Sequence, residues 1–152
     1  MPGPMPTLVD YYPPLDPYLT VLHVDDDILV LDKPSGLLSV PGKDPSLWDC
    51  LEYRARKQWP TAGMCHRLDK DTSGVLVMAL NKRAHGRIGS QFEHRKTTKA
   101  YIARVAGIIE QDTGLVDLPL ATADRLQLHA AELGFTHPTT GELQVFVAPT
   151  PF

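Results

Sequence analysis

The sequence predicts an α+β domain: a mixed, mainly antiparallel sheet with flanking helices. Three patterns carry that expectation. Short apolar runs bounded by turn residues recur along the chain, as at residues 22–31, 75–80 and 143–147. Two stretches between them, one ending near Trp59 and one over Lys82–Glu93, place apolar residues at helical spacing instead. No internal repeat or low-complexity tract suggests any other architecture.

Taken in order, residues 22–31 and 37–40 read as short strands joined by Lys33-Pro34-Ser35-Gly36. Pro34 presets φ at that turn, and Gly36 can leave it in any conformation. Ser46, with Asp49 three residues on, resembles a capping box. Leu47, Cys50, Leu51 and Arg54 follow at helical spacing to about Trp59, where Pro60 ends the helix. Residues 75–80 are an unbroken apolar run, the pattern of a buried strand. Lys82–Glu93 is a helix with Ala84, Ile88 and Phe92 on one face. Gly86 and Gly89 weaken it by roughly 1 kcal/mol each relative to Ala. Residues 99–105 set Tyr101, Ala103 and Val105 against Ala100, Ile102 and Arg104, as in a half-buried strand. Leu143, Val145 and Val147 alternate likewise after the turn at Thr139-Thr140-Gly141.

A chain of 152 residues makes one domain, and one of that size buries about 70% of its unfolded surface. Its 43% apolar and 22% charged content are ordinary globular values. Residues 1–17 carry prolines and acids but no signal-peptide core, and no run is long enough to span a membrane. A cytoplasmic protein is expected. Cys50 and Cys65 then read as free thiols, the second simply packed although it adjoins His66.

The net charge of −3 is unevenly spread. Acids gather early, at Asp10, Asp16, Asp25, Asp26, Asp27 and Asp32. Between Asn81 and Arg104 stand Lys82, Arg83, Arg87, Arg95, Lys96, Lys99 and Arg104 against Glu93 alone. Phosphate binding needs only such a local surface, although a solvated helix face has the same pattern. His85 and His94 match no metal-ligand spacing.

The segment richest in chemistry is His66-Arg67-Leu68-Asp69-Lys70-Asp71-Thr72-Ser73-Gly74, set directly before the apolar run at 75–80. A loop anchored on a rigid strand can hold a carboxylate in one place. Asp71-Thr72-Ser73-Gly74 alone is also good turn sequence. An aspartic-protease reading fits poorly, because Ser73 interrupts the Asp-Thr-Gly signature and the apolar strand follows it.

The nine residues together resemble the catalytic loop of the RluA family of RNA pseudouridine synthases, written His-Arg-Leu-Asp-x-x-Thr-Ser-Gly. Val21 to Leu38, with its Lys33-Pro34-x-Gly36 turn, is similar to the family's opening strands. Lys99 to Gly107 resembles the strand that carries its active-site tyrosine, and Leu126 to Pro149 its C-terminal strands. The resemblance implies a catalytic domain over residues 18–152 after a Pro-rich extension over 1–17. It further implies a member without a separate basic RNA-binding module, acting as a monomer on a ribosomal or transfer RNA stem-loop. The reaction converts uridine to its C-glycoside isomer, with no redox change and therefore no cofactor or metal.

By the same resemblance Asp69 is the essential aspartate, attacking the sugar or removing its 2′ proton. Tyr101 packs against the target base and assists the final proton removal. Arg67 fills the space left by the flipped uridine, at whose expense a few kcal/mol must be recovered in the pocket. His66, Thr72, Lys82, Arg83, Arg87 and Lys99 complete the expected substrate contacts. The strands at 75–80 and 99–105 are expected to be neighbours, with Asp69 and Tyr101 opening into one cleft. One departure from the family lies near residues 120/121. A central segment with a Gly-Arg-x-His-Gln-Leu-Arg-x-His motif, whose arginine pairs with the aspartate, has no counterpart. That gap predicts little or no turnover by this chain, with a non-catalytic RNA-binding relative or an inactive, internally deleted product as the alternatives.

Overall fold

The computed structural model of the protein describes residues 10–105 and 127–152. The chain enters its sheet as a hairpin of β1 (Val21–Val24) and β2 (Ile28–Lys33). Asp25 makes the turn: its Oδ1 accepts the N–H groups of Asp27 and Ile28 at 2.8 and 2.9 Å. The single strand expected over residues 22–31 is thus two. No strand forms at residues 37–40, because that backbone is used otherwise. Leu38 and Ser39 carbonyls accept from Leu51 and Glu52, leaving Leu38 only an isolated bridge to Cys50.

The helix expected from Ser46 begins later. Pro45–Leu47 form a separate 3-10 turn capped by Asp44, and α1 spans Leu51–Gln58 with Cys50 at its N-cap. Ser46 lies inside the earlier turn and cannot cap α1. After β3 (Gly63–Met64) comes β4 (Thr72–Ala79), every residue of it buried. This strand starts three residues before the expected one, so Thr72-Ser73-Gly74 is sheet rather than turn. The helix α2 (Lys82–Glu93) has its expected bounds; Asn81 caps it by accepting the Ala84 N–H at 2.8 Å.

The remaining strands are β5 (Thr98–Ala103), β6 (Leu128–Thr136) and β7 (Leu143–Val147). The sheet runs β1-β2-β4-β6-β5, with β3 also beside β4 and β7 beside β6. The β4–β6 pair is parallel and the other pairs are antiparallel, so the sheet is mixed and mainly antiparallel as expected. Two expectations fail here. The strands containing 75–80 and 99–105 are not neighbours, because β6 lies between them. Ala130 pairs with Gly74 on one edge and with Tyr101 on the other. Nor is β5 half-buried: among the described residues it lies at the edge of the sheet, and all six of its residues are exposed.

Strand alternation divides the core between two faces. Ile28, Val30, Val75 and Val77 pack with Ala84 and Ile88 of α2. Leu29, Leu31, Leu76 and Met78 pack on the other face with Leu51 and Ala55 of α1 and with Leu68. In the N-terminal extension, the Tyr11 hydroxyl donates to the Asp49 carbonyl at 2.6 Å and accepts the Leu38 N–H at 3.0 Å. Residues 1–9 of that extension and the junction at 120/121 lie outside the described residues.

Candidate active site

The Asp69 loop is held by the turn that follows β2. Period-two alternation puts Lys33 on the same face as Leu29 and Leu31, and its side chain is buried. Lys33 Nζ donates to the carbonyls of Pro34 and Lys70, each at 2.9 Å, and to that of Leu37. Three acceptors suit an ammonium, yet burial pulls its pKa down to about 7 against the opposing pull of the Asp71 and Asp69 charges. The Lys70 carbonyl also accepts the N–H of Gly36 at 2.8 Å, a residue at φ +92°, where a glycine is needed. Ser35 Oγ donates to Asp71 O at 2.9 Å. Ser39 Oγ donates to Leu68 O and accepts Leu68 N–H at 3.1 Å, while Asp69 O accepts from Thr72 N–H at 3.0 Å. The carbonyls of residues 68, 69, 70 and 71 are therefore all engaged, and the loop backbone is locked. Of residues 68–71 only Asp69 is exposed, beside the exposed Arg67.

That carboxylate faces a cleft of about 410 Å³ lined by Leu38, Ser39, Val40, Arg67, Leu68 and Lys70. Among the described residues no Lys or Arg lies at ion-pair distance from it. Tyr101, 47% exposed, is not part of the cleft wall. Burial first, and then the Asp69 charge, raise its phenol pKa above the ordinary value. A carboxylate on a fixed loop, with an arginine beside it and a phenol within electrostatic reach, can act on a sugar carbon that becomes electron-poor.

The other expected contacts are placed differently. His66 Nε2 accepts the Val77 N–H at 3.1 Å, and its ring stacks on Phe92 with centroids 4.2 Å apart. Burial, helped by the Lys99 charge, pushes its pKa down to about 4, so the ring is neutral at pH 7. Cys65 packs with the α2 cluster and Leu68 with the opposite one, so this segment passes from one face of the sheet to the other. Thr72 is buried at the start of β4. Lys82 is exposed on α2, Arg83 bonds Thr139 Oγ1 at 2.8 Å and lies 3.7 Å from Asp27, and Arg87 donates to Pro138 O. Because α2 packs across the sheet from Leu68, these three do not join the Asp69 cleft. Lys99 sits with its Nζ 5.3 Å from the centre of the Phe92 ring. The structure thus gathers Arg67 and Asp69, with Tyr101 outside the cleft wall, and leaves the rest apart. Sequence reasoning missed Lys33 and Ser39 as the residues that fix the loop. For Lys33 a signal existed, an inward place in the alternation of an apolar strand.

Asp25, Asp27 and His137 are a possible metal-holding group, but their hydrogen bonds oppose that use. His137 Nδ1 accepts the N–H groups of Thr139 and Thr140 at 3.1 and 3.2 Å, which leaves its proton on Nε2. Nε2 donates it to Asp25 Oδ2 at 2.9 Å, the oxygen that also meets His23 Nε2 at 2.8 Å. Burial raises the Asp25 pKa, but bonds from His23, the Asp27 and Ile28 backbone and His137 outweigh it and hold the carboxyl well below its usual range. The group reads as a latch between the β1–β2 turn and the loop after β6. No helix among the described residues is long and apolar enough to cross a membrane.

This fold, with a locked aspartate loop facing a cleft, can be set beside known proteins. The model of the RNA pseudouridylate synthase family matches residues 27–144, and the chain belongs to that family. The dual-specificity RNA pseudouridine synthase RluA of Vibrio vulnificus (strain CMCP6) is 48% identical over 113 residues, which are 74% of this chain and 45% of the relative. RluA of Escherichia coli (strain K12) is 48% identical over 111 residues, 73% of this chain and 51% of that protein. The chain spans about half the length of these curated relatives. Among solved structures, human RNA pseudouridylate synthase domain containing 1 superposes with a TM-score of 0.66 at 21% identity, covering 88% of this chain and 84% of that one. At that identity the likeness concerns the fold alone.

Proposed function

We propose that this protein is an RNA pseudouridine synthase, isomerising uridine to pseudouridine in a ribosomal or transfer RNA stem-loop. The observation that carries the reading is the Asp69 loop: four successive carbonyls engaged, and Asp69 exposed at a cleft beside Arg67. In this reading the bond from uracil N1 to C1′ breaks while Asp69 attacks the sugar or removes its 2′ proton. The uracil turns, and C5 bonds to C1′ as the Asp69–C1′ ester breaks or, on the other route, as the proton returns to C2′. The C5 proton then leaves with help from Tyr101 and N1 takes up a proton, so the product is an isomer of the substrate. Arg67, exposed at the cleft, takes the place of the flipped nucleotide. His66 and Thr72 act from within, positioning the loop rather than touching RNA. Lys82, Arg83, Arg87 and Lys99 belong to a phosphate-binding surface outside the cleft. No cofactor is required, and a monomer working in the cytoplasm suffices.

The finer expectation is slow turnover, because no described cation pairs with Asp69. Arg67 is reserved for RNA, and Lys70 lacks the planar fork that grips a carboxylate in two directions. The test is to incubate the protein with uridine-containing RNA stem-loops, digest them to nucleosides and separate pseudouridine by chromatography. Pseudouridine from the stem-loops, formed more slowly than by a full-length relative, is expected. RNA binding without any product leaves the non-catalytic reading instead.

A further inference from the structure

We propose that the pocket between Trp48 and Tyr53 is a second RNA contact, which holds one unpaired nucleobase beside the Asp69 cleft; it rests on RNA being the substrate. Trp48 and Tyr53 are 56% and 52% exposed, and the two rings line one pocket. Together with Pro41, Cys50, Glu52 and Arg56 they enclose about 300 Å³. Flat aromatic walls accept any base, because every base offers a π face.

The backbone that carries both rings is fixed before any ligand arrives. Trp48 closes the 3-10 turn, its N–H donating to Pro45 O at 3.2 Å. The next residue, Asp49, is gripped through both oxygens by Arg54, at 2.9 and 2.8 Å. Cys50 Sγ then accepts the Tyr53 N–H at 3.4 Å, tying the second ring to the start of α1. Little ordering is left to be done on binding, which favours affinity.

Charge at the rim suits the same occupant. Glu52 and Arg56, both in the lining, lie 3.7 Å apart and offset one another, and Arg56 Nε donates to Ala62 O at 2.9 Å. That leaves Lys57, its Nζ 4.7 Å from the centre of the Tyr53 ring, as the cation beside the rim. A cation there suits a base whose backbone phosphates lie outside the pocket. The position fits as well: Val40 lines the Asp69 cleft and the next residue, Pro41, lines this pocket. A single strand that presents a uridine to Asp69 therefore passes beside Trp48.

The test measures anisotropy of two dye-labelled RNAs, a uridine-containing hairpin with an unpaired loop and a fully paired duplex of equal length. It compares the wild type with Trp48→Ala and Trp48→Phe over a range of salt. Trp48→Ala is expected to weaken hairpin binding about five- to a hundredfold. Its salt dependence and its duplex binding are expected to be unchanged, and Trp48→Phe to keep most of the affinity. Hairpin binding that is equal in wild type and Trp48→Ala overturns the stacking site while leaving RNA as substrate. A wild type that binds neither RNA overturns both the stacking site and RNA as the substrate.

Discussion

Lys33 Nζ donates to the carbonyl of Lys70 at 2.9 Å, so a buried cation from one end of β2 fixes the residue next to Asp69. Its folded pKa of about 7 lies below the value of 10.5 expected in an unfolded chain. Between those values the unfolded state binds the extra proton, so the Lys33 contribution must rise with pH and be least favourable below pH 7. Comparing the wild type with Lys33→Met in urea unfolding, the stability difference should shift towards the wild type from pH 7 to 10, by at most about 1.4 kcal/mol per unit. A difference that stays flat would show that Lys33 titrates normally in the folded state.

Ser39→Ala removes the partner of both backbone groups of Leu68, in a site where Ser39 is only 4% exposed. Two buried groups left unsatisfied should cost about 2–4 kcal/mol. Chemical denaturation measures this directly, and a loss under about 0.5 kcal/mol would mean that the loop finds other partners.

Gly74→Ala should be worse. Gly74 has φ +123°, and a β-carbon there would run into the Ala130 backbone that pairs with it. The expected loss is about 3 kcal/mol or more, from strain and a broken β4–β6 ladder. Hydrogen exchange of the β6 amides should speed up in the same variant, and unchanged protection would contradict the placement of β6 beside β4.

Binding to RNA should depend on the exposed cations more than on the engaged ones. Replacing Lys82 and Lys96, both exposed, should make the plot of log affinity against log salt shallower by roughly 0.7–0.9 per lost contact. Arg83 and Arg87 are tied to Thr139 and Pro138, so their removal should lower stability at least as much as affinity. An unchanged slope after the lysine replacements would assign this run to a solvated helix face.

How much of this was legible in the chain depended on whether the deciding interactions were local. Ala84 and Ile88 marked α2 because that pattern reports its own burial. The alternation of Leu143, Val145 and Val147 located β7 but not its inner face: those three side chains are exposed, and Gln144 and Phe146 are the half-buried ones. The hairpin at Asp25 and the capping of α1 by Cys50 rest on local side-chain bonds that residue type alone does not compel. The place of β6 between β4 and β5 is a long-range pairing, with Ala130 set between Gly74 and Tyr101. Spacing along the chain does not encode it. In the candidate site, Asp69 and Arg67, which meet at one cleft, were named by an ordered motif; the same reading named Tyr101, which lies outside the cleft wall. The engagement of Leu68, Lys70 and Asp71 by Ser39, Lys33 and Ser35 joins segments some 29–37 residues apart, and only the fold reveals it.

The most direct test of the account uses RNA carrying tritium at C5 of its uridines, because forming the C5–C1′ bond expels that atom. With protein in excess over stem-loop RNA, the wild type should release tritium slowly but above background. Asp69→Asn should release none, while keeping its unfolding midpoint, since the Asp69 side chain is exposed and makes no ion pair with a described residue. Release that survives Asp69→Asn would take the reaction away from Asp69 and contradict the mechanism proposed here.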